Sequence, residues 1–231
     1  MSPPRLLPLD HFAGSLGARV YLTLRHAILS LGYRPGEILR KPEICAELGV
    51  SRSPVSDAVA RLASEGLVDV IPQAGTYVAL FSLAEIREGA FLREAIELAA
   101  IERVAQTITE PQLVLLRRNL TVQAALIADG DFAGFYTLDA EMHALLLSFT
   151  GYRKLALVSE TAWAHVNRAR QLVLPVPGRV AATLLEHRAI LAALEAHDPD
   201  AARAAVRGHL RQLVSYLEPL ERSHPELFNP T

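Results

Sequence analysis

Apolar residues in the first third of the chain recur at helical spacing. Val20, Leu24, Ala27, Ile28 and Leu31 share one face of residues 18–31, which predicts an amphipathic helix. Pro35-Gly36 breaks the chain. A second helix follows, with Pro42 in its first turn, where a missing N–H costs no bond, and with Ile44, Cys45 and Leu48 as its apolar side. Gly49 supplies a left-handed residue. Ser53 is then the expected N-cap of a third helix, with Pro54 at its first position. Val55, Val59 and Leu62 lie at i, i+4 and i+7 and face back onto the first two helices. Arg52, Ser53, Ser56 and Asp57 are left on or near the outer side. Past Gly66, two β-rich runs, LVDVI and TYVAL, flank Pro72-Gln73-Ala74-Gly75 and predict a hairpin. Three short helices closed by a hairpin are the layout of a winged helix-turn-helix, whose recognition helix enters the DNA major groove.

From Ser82 onward the pattern is helical. Ser82-Leu83-Ala84-Glu85 reads as a capping box opening a helix to about Ala105. Glu110-Pro111 opens the next, to about Asp129, and Asp131 caps a third that ends near Gly151. A fourth spans about 153–173, a fifth about 179–196, and Asp198-Pro199 caps a sixth to about Tyr216. The fold class is therefore mainly α: an N-terminal winged helix-turn-helix followed by an all-α antiparallel helical bundle. The expected limits are a flexible arm over 1–14, a DNA-binding domain over 15–80, a helical domain over 81–222 and a tail over 223–231.

Charge changes this picture only slightly. The 231 residues carry a net charge of −2 and a pI of about 6.5, which argues against a general nucleic-acid coat. Residues 1–80 hold 8 Lys+Arg against 7 Asp+Glu, and residues 81–231 hold 15 against 18, so the positive excess sits on the candidate DNA reader. Cys45 is the only cysteine; no disulfide can form within the chain, which suits a reducing cytoplasm. No run reaches the roughly 18 apolar residues of a membrane helix, and the prolines of MSPPRLLPLDHF interrupt any signal-peptide core. The expected location is the cytoplasm, with no membrane partner.

The candidate chemistry lies in polar residues on apolar stripes. Phe132, Phe135, Asp139, Met142, His143 and Leu146 share one helix face, and Asp139 and His143 are i,i+4 neighbours. His187 sits among Leu184, Ile190, Leu191 and Leu194, and His209 among Ala205, Val206, Leu210, Leu213 and Tyr216. His187 lies eleven residues before Asp198 and His209 eleven after it. In a helical hairpin turning at Asp198 both stand about 16 Å from the turn, so they meet if both face inward. Asp139 and His143 would complete a three-His, one-carboxylate set, as helix-bundle metal sites are built. Such a set suits zinc, nickel, manganese or iron. Taken singly, a core histidine is more often a packing residue than a ligand; the two matched spacings shift that balance. Arg93, on the stripe Ile86, Ala90, Arg93, Glu97, Ala100, Val104, either pairs with Glu97 at i+4 or receives a carboxylate. His165, Asn167 and Arg168 are further candidates for an effector pocket.

Residues 18–80 resemble the GntR family of bacterial regulators. The likeness is carried by Pro35-Gly36, Leu48-Gly49-Val50-Ser51-Arg52, Pro54-Val55, Arg61-Leu62, Glu65-Gly66-Leu67-Val68 and Gly75. The departures matter. Ser56 stands where the family has a second arginine, Pro42 where relatives carry a basic residue, and Gln73-Ala74 where the wing is often basic. Residues 83–217 resemble the FCD ligand-binding domain, through Leu92-Arg93-Glu94-Ala95, Glu97, Asp139, His143, Gly151, Glu186-His187-Arg188-Ala189-Ile190, Ala193, Asp198, Ala202 and His209-Leu210. In the metal-binding branch of that family, the Asp and three His at these positions ligate the ion.

Together these readings imply a dimeric repressor that binds operator DNA. Arg40, Lys41, Ser51, Arg52, Ser53, Ser56, Arg61 and Gly75 are the expected DNA contacts. Asp139, His143, His187 and His209 would hold a divalent zinc, nickel or manganese ion. Arg93, Asn167 and His165 would help receive a small carboxylate effector. A purely structural metal is one alternative. Another is a metalloenzyme with Glu97 or Glu186 as its base, for which no catalytic motif is present.

Overall fold

The first three helices form because each has one apolar side and a usable start and stop. In the computed structural model, which describes residues 5–155, 158, 163–173, 176 and 178–229, α1 spans Leu16–Leu29, α2 Lys41–Leu48 and α3 Arg52–Ser64. Helix α1 starts on Ser15, whose hydroxyl accepts from the Ala18 N–H, and stops two residues before the expected end. Leu31 lies outside it at φ 59°. Val20, Leu24, Ala27 and Ile28 are fully buried, and Val55, Val59 and Leu62 of α3 pack with them. On α2 only Ile44 is buried. Gly49 ends α2 in the left-handed conformation (φ 65°, ψ 34°), as expected. The start of α3 differs: its N-cap is the extended Ser51, so Arg52 opens the helix and Pro54 sits third. A proline is tolerated anywhere in a first turn, where no N–H has an intrahelical partner.

The hairpin is β1 (Val68–Ile71) against β2 (Gly75–Val78), antiparallel with Val68 opposite Val78 and Ile71 opposite Gly75. Gly75 has φ 142°, and a Cβ there would stand 3.3 Å from Ile38 Cδ1. A strand-like contact beyond β2 has no local signal in the sequence. Leu39 N–H donates to Thr76 O and Val78 N–H to Glu37 O, each at 2.8 Å.

Contacts divide the chain into two units. One runs up to Leu83 and includes Asn167–Gln171 and the segment from Leu220; the other holds Ala84–Val166 and Leu172–Pro219. The ends expected to be loose are tied into the first unit. Leu6 is buried, and Phe228 packs on Phe81 with ring centroids 5.6 Å apart. Backbone bonds link Phe81 to Leu227 and Asn229. The apolar side chains of Leu6 and Phe228 outweigh the polar character of their neighbours.

The described elements centred on the second unit are helices: α4 (Leu83–Thr107), α5 (Glu110–Ala128), α6 (Phe132–Phe149), α7 (Ala164–Val173), α8 (Arg179–Glu195) and α9 (Pro199–Ser223), with Leu83 of α4, Asn167–Gln171 of α7 and Leu220–Ser223 of α9 grouping with the first unit. Asp131 caps α6 by accepting from Gly134 N–H, and Asp198 caps α9 by accepting from Ala201 N–H. Helix α9 continues seven residues past its expected end, through Pro219; buried Leu217 keeps its inner side packed. Much of the expected fourth helix before Ala164, and Pro175 and Pro177, lie outside the described residues. The core joins Leu98, Ile101 and Val104 of α4 to Leu116 and Leu120 of α5, Met142 and Leu146 of α6, Leu184 and Ile190 of α8, and Val206 of α9. Phe132, expected on the inner face of α6, is exposed at the helix start. The fold is mostly helical, a winged helix-turn-helix followed by a helical bundle.

Candidate metal centre and nucleic-acid interface

The buried stripes of α6, α8 and α9 carry four polar side chains to one point. Asp139, His143, His187 and His209 each offer a ligand atom, and these atoms all lie within 4.8 Å of one another. All four residues are buried. The hairpin argument holds in its geometry: the His187 and His209 rings are 4.7 Å apart, and the His143 ring is 5.2 Å from that of His209.

What orients the rings is a set of partners on their outer nitrogens. Glu97 Oε2 lies 2.6 Å from His143 Nδ1, Glu186 Oε2 2.7 Å from His209 Nδ1, and Gln123 Oε1 2.9 Å from His187 Nδ1. Each Nε2 is thereby turned inward. His143 Nε2 and His209 Nε2 face each other at 3.2 Å, and His187 Nε2 stands 3.3 Å from Asp139 Oδ1. Atoms each 2.0–2.1 Å from one ion are about 3.0 Å apart at a right angle and about 3.4 Å apart at a tetrahedral one. The donor types and their spacing therefore fit a divalent ion, and these residues could hold one.

The electrostatics favour the ligating states. Burial pushes the His143 and His209 imidazolium forms down, so both rings are neutral, as ligation needs. Burial alone would push Glu97 and Glu186 up. His143 and Arg93 outweigh it at Glu97, holding that carboxyl well below its usual range. Arg179 and His209 hold Glu186 at about 2. Arg93 Nε donates to Glu97 at 2.6 Å, and Arg179 grips Glu186 through two bonds of 2.6 Å.

The other effector candidates are placed differently. Arg93 is buried with its Nε committed to Glu97 and its guanidinium 5.2 Å from the Trp163 ring; the i+4 pairing is the arrangement present. His165 lies 3.6 Å from Glu85. Asn167 and Arg168 group with the first unit. Arg168 is wholly buried, 4.4 Å from the Phe81 ring. Gln123 and its neighbour Asn119 were missed. Both lie on the buried stripe of α5 with Leu116 and Leu120, and two amides four apart on an apolar face were a signal available in the sequence.

In the first unit, Ser51, Arg52, Ser53 and Ser56 are exposed at the start of α3. Arg40, Lys41 and Gly75 come together, lining a cleft of about 410 Å³ with Ile38, Leu39, Pro42, Glu43 and Thr76. Arg40 also lies 3.6 Å from Glu43. Arg61 is exposed on α3, with its Nε 3.4 Å from Glu65 and its guanidinium 3.7 Å over the Tyr21 ring.

Comparison with known proteins agrees with this division. Residues 16–78 match the bacterial regulatory proteins of the gntR family, and residues 88–212 match the FCD domain. A helix-turn-helix transcriptional regulator of an unstable DNA locus in Streptomyces ambofaciens is 35% identical over 90% of this chain and 88% of its own. The transcriptional repressor RspR of Escherichia coli is 32% identical over 91% and 92%. Among solved structures, E. coli McbR/YncC superposes with a TM-score of 0.79 at 21% identity, covering 90% of this chain and 99% of its own. Family models over both parts and relatives matched along most of their length place this chain in the GntR family of bacterial transcriptional regulators, with an FCD domain behind its winged helix.

Proposed function

We propose that this regulator is a homodimeric repressor whose hold on operator DNA is set by a small organic acid bound at a divalent ion in the helical domain. Residues 15–80 read the operator and residues 81–222 sense the acid. Asp139, His143, His187 and His209 are the ligands. The ion supplies Lewis-acid positions for a carboxylate; six-coordination would leave two beyond the four side chains.

The observation that carries this reading is the convergence of four buried donors, Asp139, His143, His187 and His209, whose ligand atoms lie within 4.8 Å of one another. The Glu97–Arg93 and Glu186–Arg179 pairs each sum to zero charge, so a divalent ion held by Asp139 and three neutral imidazoles would carry a formal charge of +1, which a carboxylate would cancel. Arg93 gives its Nε–H to Glu97, and its Nη groups remain the second receptor proposed for the acid. The name of RspR supports repression. On the DNA side, exposed Arg52 is the main contact, helped by Ser51, Ser53, Ser56 and the Arg40–Lys41–Gly75 cleft. The family assignment disfavours a metalloenzyme, and the two candidate bases, Glu97 and Glu186, are held by arginines and histidines.

The test is to titrate small carboxylates into zinc- or nickel-loaded protein while measuring affinity for an operator found by selection from random DNA. A ligand shifts that affinity only by its unequal binding to the two states. At least one acid is expected to shift it fivefold or more. Carboxylates that bind the loaded protein yet leave operator affinity unchanged would make the metal purely structural.

A further inference from the structure

We infer that three separate locks, an Arg93–Glu97 pair, an Arg179–Glu186 pair and an Asn119–Gln123 amide relay, fix the tautomers of His143, His209 and His187 so that every Nε2 faces the ion; this rests on the metal reading above. A neutral imidazole carries one proton, and the nitrogen that holds it cannot bind a metal. Each lock must therefore present an acceptor to Nδ1.

Two locks do so with a carboxylate, which can only accept. Glu97 and Glu186 lie 2.6 and 2.7 Å from their Nδ1 atoms, and the arginines behind them hold the carboxylates in place. The third lock is different in kind. An amide can present either a donor or an acceptor, so something must choose its end. That choice begins at a backbone carbonyl. Leu138 O accepts from Asn119 Nδ2 at 3.0 Å, which leaves Asn119 Oδ1 as an acceptor. Gln123 Nε2 donates to that oxygen at 2.7 Å. Gln123 Oε1 is then the atom facing His187 Nδ1, at 2.9 Å. Because a backbone carbonyl cannot donate, the direction of the whole chain is set. Asn119, Gln123 and His187 are all buried, so water does not offer a substitute partner. Leu138 also precedes Asp139, so one turn of α6 both supplies a ligand and sets the tautomer of another.

Gln123, Asn119 and the two Arg–Glu pairs are thus positioning residues. Two measurements test them. In metal-free protein, long-range nitrogen–proton spectra of the histidine rings report the tautomer without any ion. His143, His187 and His209 are expected as Nδ1–H forms. Gln123→Met, which removes the acceptor at similar size, is expected to release His187 from the Nδ1–H form. In the second measurement, zinc and nickel affinities are read by chelator competition. Gln123→Met is expected to weaken binding about 10- to 100-fold. The thermal midpoint of the metal-free variant verifies that it is folded. His187 found as Nε2–H in the wild type, or metal affinity unchanged in folded Gln123→Met, overturns the proposal. If wild-type protein shows the Nδ1–H signals but takes up neither ion, the metal reading falls and the tautomer assignment stands, so the two failures are told apart.

Discussion

His187 and His209 are buried imidazoles whose inward nitrogens have no use in a core built of Leu and Ile. Replacing both with Ala removes two of four ligands and is expected to abolish tight zinc or nickel binding. Full metal occupancy in the folded double variant would refute the site. Arg52 poses the matching question in the DNA reader. It is exposed at the first position of α3, and with Ser56 where relatives carry arginine it has little help. Arg52→Ala is expected to cost about 1–3 kcal/mol of operator binding, read by titration at fixed salt; unchanged affinity would move the main contact elsewhere. Arg168 is a stability problem instead. Its Nε, Nη1 and Nη2 lack hydrogen-bond partners among the described residues, and burial pushes the guanidinium down to about 10 against the pull of Asp69. Because an uncompensated buried cation is costly, Arg168→Met is expected to raise stability by about 1–4 kcal/mol. A lower unfolding midpoint would show that the Phe81 stacking and the Asp69 field outweigh desolvation.

Among the elements, the turn between α2 and α3 and the hairpin between α8 and α9 were the most legible in the sequence, for different reasons. Gly49 is required by backbone geometry, and no neighbour lies within 4 Å of where its Cβ would be. Gly49→Ala therefore isolates the cost of the left-handed conformation, about 1–2 kcal/mol, and should lower the unfolding midpoint without altering the bundle's metal affinity. A neutral result would mean that the turn relaxes to another conformation. The α8–α9 hairpin was readable because equal distances from Asp198 place His187 and His209 at one height, whatever packs around them. Less was readable where non-local packing decides. Ser51 and Ser53 are equally good caps by type, and the structure uses Ser51. Helix α9 runs past Tyr216 through Pro219, and the ends are tied at Leu6 and Phe228. The pairing of Leu39 with Thr76 left no local signal, because a single strand-like residue has no period. Asn119 and Gln123 differ again: two amides four apart on an apolar face mark a polar site, but which atoms they present is set by Leu138 and His187 on other helices.

At the scale of the whole molecule, the polar cluster should make the stability of the helical domain depend on metal. Three helices, α6, α8 and α9, supply the four donors, so an ion bound to them crosslinks the domain and binds the unfolded chain far less well. Ligand linkage then predicts a stabilisation of about 2.7 kcal/mol at a metal concentration 100 times the dissociation constant, growing by about 1.4 kcal/mol per further tenfold. The same titration on the His187, His209 double-alanine variant should give no shift, which separates the site from adventitious binding to surface histidines such as His224, which is exposed. Added carboxylate should increase the stabilisation further if it binds at the ion, because it too favours the folded state. The lock variants refine this: Gln123→Met should need about 10- to 100-fold more metal to reach the same midpoint, moving the curve along the concentration axis without changing its slope. A metal-dependent rise that persists undiminished in the double-alanine variant would place the stabilising ion outside the Asp139, His143, His187, His209 cluster.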